Sequence, residues 1–210
     1  MQKIDIATYK RRGMLDAFKD RDIPFFSTTS HVDITNLKKF IDSHKSGFFL
    51  AISFLITKSV NLIPELRHRI IDGELFEFSR VDPGYTVLLD DETFSFCDSN
   101  YVDSFKEYSE LSAAKIKEVK DCPDHGFEEK HHMFFITNIP WFSFTSIVHP
   151  YDKKYGYIPV IAIGKYFKDG DKLLVPIGIQ VHHGLVDGIH VGKFYQSLSN
   201  MCYNPELWLV

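Results

Sequence analysis

The segment from Phe48 to Leu66 limits the possible folds most, because it is apolar on nearly every side at its start. Its apolar side chains recur every three or four residues, with Ile52, Leu55 and Val60 on one side, which is the spacing of an α-helix. A surface helix keeps a polar face, so a helix that is apolar nearly all round lies inside a core. The sequence therefore predicts a buried helix over 48–66. A chain of 210 residues is long enough to cover it without disulfides or metals.

Helical and strand patterns are partly segregated along the rest of the chain. Further helices are predicted near Leu37–Ile41, Val102–Val119 and His190–Cys202. Strands are predicted at Glu74–Phe78, Tyr85–Leu89, Thr93–Phe96, His132–Thr137, Phe142–Val148, Ile158–Phe167 and Lys172–Val181. This segregation favours an α+β fold, a two-layer mixed sheet with helices packed on one face, over a doubly wound parallel sheet. No repeat or linker divides the sequence, so we expect one domain over residues 1–210.

Composition excludes several classes of protein. The net charge is −4, so the basic surface that nucleic-acid binding requires is missing. Cys97, Cys122 and Cys202 form no Cys-x-x-Cys pair, which argues against a disulfide framework or a zinc ribbon and suits a reducing compartment. Residues 1–12 lack an apolar signal core, and the apolar run 48–56 is shorter than the ~20 residues that span a bilayer. We therefore expect a soluble cytoplasmic protein.

The most informative segment is Gln180–His190, which reads QVHHGLVDGIH. It follows a predicted strand and precedes a predicted helix, where functional residues often lie. Gly184 and Gly188 interrupt helical continuity and indicate a shaped turn. A histidine in this turn can titrate near neutral pH and exchange a proton with a substrate. The aspartate four residues further on can accept a charged hydrogen bond and fix the loop.

The residues alone leave three other interpretations open. The histidines can simply be hydrogen-bonded in a turn without chemical function. His183, Asp187 and His190 have the i, i+4, i+7 spacing of a metal site on a helix, although the two glycines argue against a regular helix there. A serine hydrolase would use Ser143 or Ser146, but the sequence contains no Gly-x-Ser-x-Gly elbow.

A family resemblance appears in the same segment. His182-His183-Gly-Leu-Val-Asp187-Gly188 matches the His-His-x-x-x-Asp-Gly signature of chloramphenicol acetyltransferases, a signature that several other acyltransferase families share. The similarity continues on both sides of the signature and along the chain in the order of that family. The further matching segments are Asp33–Lys38, Glu65–Arg67, Val81–Thr86, Glu92–Ser95, Pro140–Ser146, Gly164–Pro176 and Gly188–Phe194. The chain therefore resembles the chloramphenicol acetyltransferase family over almost its whole length.

The resemblance implies a fold like that of the CoA-dependent acyltransferases and an O-acetyltransferase that moves acetyl from acetyl-CoA to a hydroxyl of chloramphenicol, conferring antibiotic resistance. His183 would be the general base in a ternary complex, with its ring oriented by local backbone contacts. Ser146 would donate a hydrogen bond to the oxyanion of the tetrahedral intermediate. Asp187 would be structural, in a salt bridge with Arg11 or, as the neighbouring alternative, Arg12. The resemblance implies no metal.

Further residues of this chain align with family positions that contact the two substrates. Lys165 and Tyr166 align with residues that meet the nucleotide end of CoA, a charge against phosphate and a ring against adenine. Phe18, Phe26 and Ala162 align with the acceptor pocket. The family forms homotrimers with active sites at subunit interfaces, where the histidine comes from one subunit and much of the acceptor pocket from its neighbour.

Four positions depart from the family pattern near the acceptor. Phe18 stands where a tyrosine is usual and Ala162 where a threonine is frequent, while Asp22 and Pro24 replace a leucine and a cysteine of the pocket wall. The base, the oxyanion donor and the salt bridge are all retained. The sequence therefore predicts acetyl transfer with chloramphenicol or another small hydroxyl compound as the acceptor. The rival class is a catalytically weak binding protein on this fold.

Overall fold

The chain folds into five α-helices and ten β-strands over the residues that the computed structural model describes, 1–126 and 130–210. The helices are α1 (Arg12–Phe18), α2 (Thr35–His44), α3 (Phe48–Asn61), α4 (Phe105–Asp121) and α5 (Gly188–Tyr203). The strands are β1 (Gln2–Ile4), β2 (Phe25–Asp33), β3 (His68–Ile71), β4 (Glu74–Glu77), β5 (Asp82–Leu88), β6 (Phe94–Asp98), β7 (Met133–Ile139), β8 (Val160–Gly164), β9 (Phe167–Asp169) and β10 (Lys172–His182). Short 3₁₀ helices span Pro64–Arg67 and Pro205–Leu207.

Two sheets organise these elements. The larger has seven strands, six of them in the order β2-β10-β8-β7-β5-β6, and β9 pairs with one end of β10. In it β5, β7 and β8 are parallel neighbours, whereas β10 runs antiparallel to both β2 and β8. The smaller sheet is antiparallel, in the order β1-β4-β3. This mixed sheet with packed helices confirms the predicted α+β fold class.

The two faces of the large sheet differ in what covers them, and β10 shows the difference. Ile177, Ile179 and Val181 are buried in the hydrophobic core, to which α2, α3, α4 and α5 also contribute. Gly178 and Gln180 lie between them and face the other side of the sheet, because side chains alternate along a strand. The helices therefore cover one face of β10, and its other face is left for other contacts.

The central helix α3 is buried as predicted. Every residue from Ala51 to Thr57 is inaccessible to solvent, including the hydroxyl residues Ser53 and Thr57. Both buried hydroxyls are hydrogen-bonded, since Thr57 Oγ1 donates to Ser53 O at 2.7 Å and Ser53 Oγ accepts from Tyr108 at 3.1 Å. The helix ends at Asn61 rather than Leu66, because Pro64 cannot continue an α-helical hydrogen-bond pattern.

The predicted strand at Phe142–Val148 is wrong. Residues 140–150, called here the Ser146 segment, run without regular strand pairing between β7 and β8. The alternating aromatic and polar residues of this segment suggested a sheet strand. Instead, Phe144 packs on Gly164 and Ile147 on Gly178 of the large sheet. These two side chains are three residues apart, so the segment does not follow the two-residue period of a strand.

Other strand boundaries also differ from the prediction. β2 was not predicted, because its Ser and Thr residues hide the apolar alternation that marks a half-buried strand. The predicted strand Ile158–Phe167 is divided into β8 and β9, and Lys165 and Tyr166 lie exposed between them. The short elements β1, β3 and α1 were also missed. No helix within the described residues is long and apolar enough to span a membrane.

A buried arginine joins the two sheets. Arg69 of β3 is only 1% exposed, and its guanidinium donates to His131 O at 3.0 Å and to Met133 O at 2.8 Å, where β7 begins. It also donates to Leu66 O at 3.0 Å and to His68 O at 2.7 Å. Burial lowers the pKa of Arg69 to about 9. One cation thus serves four backbone carbonyls and holds β3 against β7.

We expect Arg69→Met to reduce the free energy of unfolding by about 3 kcal/mol, because buried carbonyls would lose a charged donor. Urea denaturation checks this. The matched control is Arg12→Met, since the Arg12 side chain is 58% exposed and lies 3.6 Å from Asp16, and it is expected to stay near wild type. Equal, small changes in both variants would contradict the structural function assigned to Arg69.

Candidate active site

The His-His turn connects the end of β10 to the start of α5. The amide of His183 donates to Pro24 O at 2.8 Å, which extends the β2–β10 pairing by one step. The chain then turns sharply, with the amides of Leu185 and Val186 donating to the carbonyl of the preceding His182 at 3.0 and 2.9 Å. A Cβ on Gly184 would lie 2.9 Å from the His182 ring and 3.2 Å from the backbone of α1. The turn is therefore packed too closely for a larger residue at position 184.

Two hydrogen-bond acceptors determine which nitrogen of the neutral His183 ring carries the proton. Nδ1 lies 3.3 Å from Val186 O and 3.2 Å from a carboxylate oxygen of Asp187. Because both groups accept hydrogen bonds, the neutral ring carries its proton on Nδ1 and leaves a lone pair on Nε2. The ring packs against Phe18, with centroids 4.3 Å apart, and against Phe26, at 4.9 Å. The side chain is 36% exposed, so the ring is oriented yet accessible.

An ion pair anchors the turn to the N-terminal part of the chain. Arg11 bonds the carboxylate of Asp187 and also donates to His183 O at 3.3 Å. The hydrogen bond from Arg11 lowers the pKa of Asp187, against partial burial that raises it. Arg12 points elsewhere and pairs with Asp16 on the exposed side of α1. Arg11 is therefore the arginine that contacts the turn.

A second layer of contacts lies behind Asp187. Its backbone amide donates to Nδ1 of His190 at 2.9 Å, and Nε2 of His190 lies 3.4 Å from a carboxylate oxygen of Glu65. Burial lowers the pKa of His190, although Glu65 partly opposes this. Both ring nitrogens of His190 thus have protein partners, which argues against its use as a metal ligand with His183 and Asp187. Within residues 1–126 and 130–210 no group of three or more His, Cys, Asp or Glu side chains is placed to hold a metal ion.

The Ser146 segment crosses the open face of the large sheet. Phe142 O accepts from the amide of Lys165 at 3.0 Å. Further along, Phe144 packs on Gly164 and Ile147 on Gly178, where an added Cβ would lie 2.7 and 2.5 Å from those side chains. Ser146 itself is exposed. In the part of the single chain that the structure describes, no hydrogen bond joins Ser146 to His183.

The remaining predicted positions lie on β8 and just after it. Ala162 is fully buried and lies opposite Gly178 in the sheet register, so it faces the same side as the Ser146 segment. Lys165 and Tyr166 are exposed beyond the end of β8, and the Tyr166 ring meets Phe48 edge-on at 5.4 Å. A cleft of about 350 Å³ lies between α2 and the β9–β10 hairpin. It is bordered by the basic side chains Lys38, Lys39, Lys168 and Lys172.

Comparison with known proteins identifies the family of this chain. The family model described as chloramphenicol acetyltransferase matches residues 1–199. The chain belongs to the chloramphenicol acetyltransferase family. A chloramphenicol acetyltransferase of Klebsiella sp is 36% identical over 207 residues, covering 95% of this chain and 92% of the relative. Chloramphenicol acetyltransferase 3 of Escherichia coli is 34% identical over 206 residues, covering 95% and 96%.

Solved structures show the same fold at lower sequence identity. A chloramphenicol acetyltransferase structure superposes with a TM-score of 0.89 at 24% identity, covering 96% of this chain and 99% of that one. A dihydrolipoamide acetyltransferase of Azotobacter vinelandii has a TM-score of 0.71 at 16% identity, covering 100% and 99%. The acyltransferase fold is therefore shared beyond this family.

The structure gathers some predicted site residues and separates others. His183, Asp187, Arg11, Phe18 and Phe26 form one cluster around the turn. Ser146 and Ala162 lie over the middle of the large sheet, and Lys165 and Tyr166 lie at its edge. Sequence analysis gave no function to Glu65 and Gln180, although Glu65 falls inside a segment that matches the family and Gln180 begins the segment that contains the His-His turn. Their contacts are made by partners distant in sequence, which one-dimensional spacing does not reveal.

The buried histidine before His183 predicts a pH dependence of stability. His182 is 2% exposed, and its Nδ1 accepts from the amide of Gly184 at 3.1 Å. Burial, with a smaller effect of His183, lowers the pKa of His182 to about 4, against ~6.5 for an unfolded histidine. Between these values the unfolded chain binds the proton and the folded chain does not. Stability should therefore decrease as the pH falls from ~6.5 toward 4, with His182 contributing up to ~1.4 kcal/mol per pH unit.

Urea denaturation at pH 7, 6 and 5 checks this expectation. His182→Asn keeps an acceptor near the position of Nδ1 but cannot titrate, so its stability should vary less steeply with pH than that of wild type. Some slope should remain, because burial also lowers the pKa of His68, His149 and His190. Identical slopes for the two proteins would show that His182 does not contribute.

Proposed function

We propose that this protein transfers acetyl from acetyl-CoA to a hydroxyl of chloramphenicol and so confers resistance to the antibiotic. The observation that carries the proposal is the His183 ring. Its Nδ1 is engaged by Val186 O and Asp187, and its Nε2 is left as a base. An enzyme of the chloramphenicol acetyltransferase family needs this tautomer for proton abstraction.

The first chemical step uses His183 as the general base. Nε2 accepts the proton of the acceptor hydroxyl while the hydroxyl oxygen forms a bond to the thioester carbonyl carbon. The ring becomes a cation in this step, and the Asp187 carboxylate 3.2 Å from Nδ1 offsets the new charge. Arg11 keeps that carboxylate ionised by lowering its pKa. A positioned general base accelerates such a step by ~10²–10⁴-fold.

The second step uses Ser146 as an oxyanion donor. The carbonyl oxygen of the tetrahedral intermediate carries a negative charge, and the Ser146 hydroxyl donates a hydrogen bond to it. One such donor contributes about 2.7–4 kcal/mol to transition-state stability. The carbon–sulfur bond then breaks, the electron pair leaves with the CoA sulfur, and the His183 cation returns its proton to that thiolate. Both substrates are bound together, so no acetyl-enzyme forms and no serine nucleophile is required.

The chain offers groups suited to both substrates. Acetyl-CoA supplies the activated acetyl group, and Lys165 and Tyr166 would meet its phosphate and adenine groups. Phe18 and Phe26 flank the His183 ring at the turn, and the proposed acceptor pocket would join these two rings to the region of Ala162 and the Ser146 segment of a neighbouring subunit. Phe18 brings no hydroxyl, and this favours, as the second candidate, the same chemistry on another small hydroxylated acceptor.

The placement of the two groups along β10 supports an active site shared between subunits. Ile147 of the Ser146 segment packs on Gly178 in β10, whereas His183 follows that glycine by five residues and lies beyond the end of the strand. No hydrogen bond joins Ser146 to His183 within the described residues of one chain. The same segment exposes Trp141 (60%), Phe142 (57%) and Val148 (64%), apolar side chains that a neighbouring subunit would cover. We place the reaction in the cytoplasm, where free thiols such as those of this chain stay reduced.

We expect a homotrimer, in which His183 of one subunit meets the Ser146 segment of the next. Light scattering on a sizing column should give about three times the 24.4 kDa mass of one chain. Val148→Asp adds a charge to the exposed apolar patch and should lower the measured mass, whereas Leu207→Asp, at an exposed site distant in the fold, should not. A monomeric wild type with full activity would contradict the shared site.

The reaction is tested by following free thiol release from acetyl-CoA with and without chloramphenicol. Wild type should release thiol only with the acceptor present, and His183→Ala should lower kcat by at least ~100-fold. Acetyl-CoA should still raise the Tm of His183→Ala, because a ligand of the native state stabilises it.

Two outcomes separate the parts of this proposal. A silent wild type that is stabilised by acetyl-CoA would exclude chloramphenicol and direct the search to other hydroxyl acceptors. A wild type that acetyl-CoA does not stabilise would contradict the acetyltransferase function itself and favour a binding protein on this fold.

A further inference from the structure

One buried amide connects the Ser146 segment to the strand that carries the base. Gln180 lies on β10, three residues before His183, and is 6% exposed. Its Oε1 accepts from the backbone amide of His149 at 2.9 Å and from Ser27 Oγ of β2 at 2.9 Å. Its Nε2 donates to the carbonyl of the same His149 at 3.4 Å. A single side chain thus joins two strands and the loop above them.

The Ser146 segment depends on such a partner. It has no regular strand neighbour, so its backbone groups lack ladder hydrogen bonds and need other partners where they are buried. Gln180 receives both backbone groups of His149, as a neighbouring strand would. His149 follows Ser146 by three residues, and on the other side Ile147 and Phe144 rest on the glycines of β10 and β8. The Gln180 amide, together with the close packing on Gly164 and Gly178, fixes the distance between the Ser146 segment and the sheet.

We propose that Gln180 is a positioning residue for Ser146. By holding His149 against β10, it keeps the Ser146 hydroxyl at the place where the oxyanion forms. Gln180 does not touch the reacting atoms and acts only through the backbone of the segment. The inference rests on the proposed acetyl transfer, in which Ser146 is the oxyanion donor.

The chemistry of the amide makes the proposal specific to glutamine. Gln180→Met has a similar length but neither accepts nor donates, so His149 loses both partners. Gln180→Glu keeps an oxygen for the His149 amide and for Ser27, but it sets a second carboxyl oxygen against the His149 carbonyl and places a charge at a buried site. Ser27→Ala removes the hydrogen bond from Ser27 to the Gln180 side chain but leaves the contacts of the Ser146 segment in place, so it is the matched control.

The experiment measures kcat and KM for both substrates in the assembled enzyme, for each variant alone and combined with Ser146→Ala. We expect Gln180→Met to lower kcat by ~10–100-fold with little change in KM, because an interaction made only in the transition state is weakened. Gln180→Glu should also lower kcat, because its carboxylate opposes the His149 carbonyl, whereas Ser27→Ala should remain within ~3-fold of wild type. The pH at which kcat falls to half should not move, since the base is untouched.

The double variants with Ser146→Ala test whether Gln180 acts through the serine hydroxyl. If Gln180 acts through the serine hydroxyl, Gln180→Met should lower kcat by less than ~3-fold once that hydroxyl is gone, because coupled residues are non-additive. Equal losses of kcat in both backgrounds would overturn the proposal and leave Gln180 with a structural function only. Should Gln180→Met fail to assemble, Gln180→Asn replaces it, since an amide shorter by one methylene cannot reach His149 and should show the same non-additivity. A wild type without acetyl transfer would instead overturn the proposed function.

Discussion

The alternation of side chains along β10 is the constraint on which the rest of the molecule depends. Ile177, Ile179 and Val181 enter the core beneath the helices, so Gly178 and Gln180 must face the opposite side. A shift of the register by one residue would exchange these two sets, bury an amide under the helices and expose three branched aliphatic side chains. Pairing with β2 over nine residues and with β8 on the other side prevents that shift. The core therefore fixes the open face, and the open face carries the candidate site.

The turn after β10 holds the His183 imidazole in place through polar groups that are costly to bury. Arg11 satisfies the carboxylate of Asp187 and the carbonyl of His183, and His190 satisfies the Asp187 amide while facing Glu65. Each group is held by another, so the set is stable only when complete. Burial lowers the pKa values of His182 and His190, so the folded state loses stability in acid. The benefit is an imidazole whose tautomer does not depend on a substrate.

Sequence patterns predicted the features that depend on residues close together in the chain. The helix α3 was found because its residues are apolar all round, and the turn at Gly184 was found because glycines end a strand before a helix. β2 was missed because Ser and Thr occupy both of its faces, Thr28 and Ser30 opposite the core residues Ile179 and Ile177 and Ser27 and Thr29 on the open side, so no apolar alternation is visible. The Ser146 segment was wrongly predicted as a strand from its alternating residues, because alternation does not specify a partner, and the segment packs instead on Gly164 and Gly178 of the sheet.

The site residues divide in the same way. The signature located His183 and Asp187 directly, whereas Arg11 lies 176 positions from Asp187, so the resemblance alone could suggest that contact. Gln180 was inside the quoted segment and received no function, because its significance depends on His149, 31 residues away. Pairings of this kind arise from topology, which spacing along one sequence does not contain.

The placement of His183 and Ser146 links the proposed assembly to the proposed chemistry. Within one chain His183 follows the end of β10, whereas the Ser146 segment packs over Gly178 in the middle of that strand. If one active site uses both groups, as proposed, they come from two chains, and the interface then stabilises the reactive arrangement as well as the oligomer. Activity would then depend on protomer concentration by mass action. In such an enzyme, changes at Phe18 or Ala162 would alter the acceptor pocket while the interface and the turn stay constant. The four departures near the acceptor follow this division, because none of them falls on the base, the ion pair or the Ser146 segment.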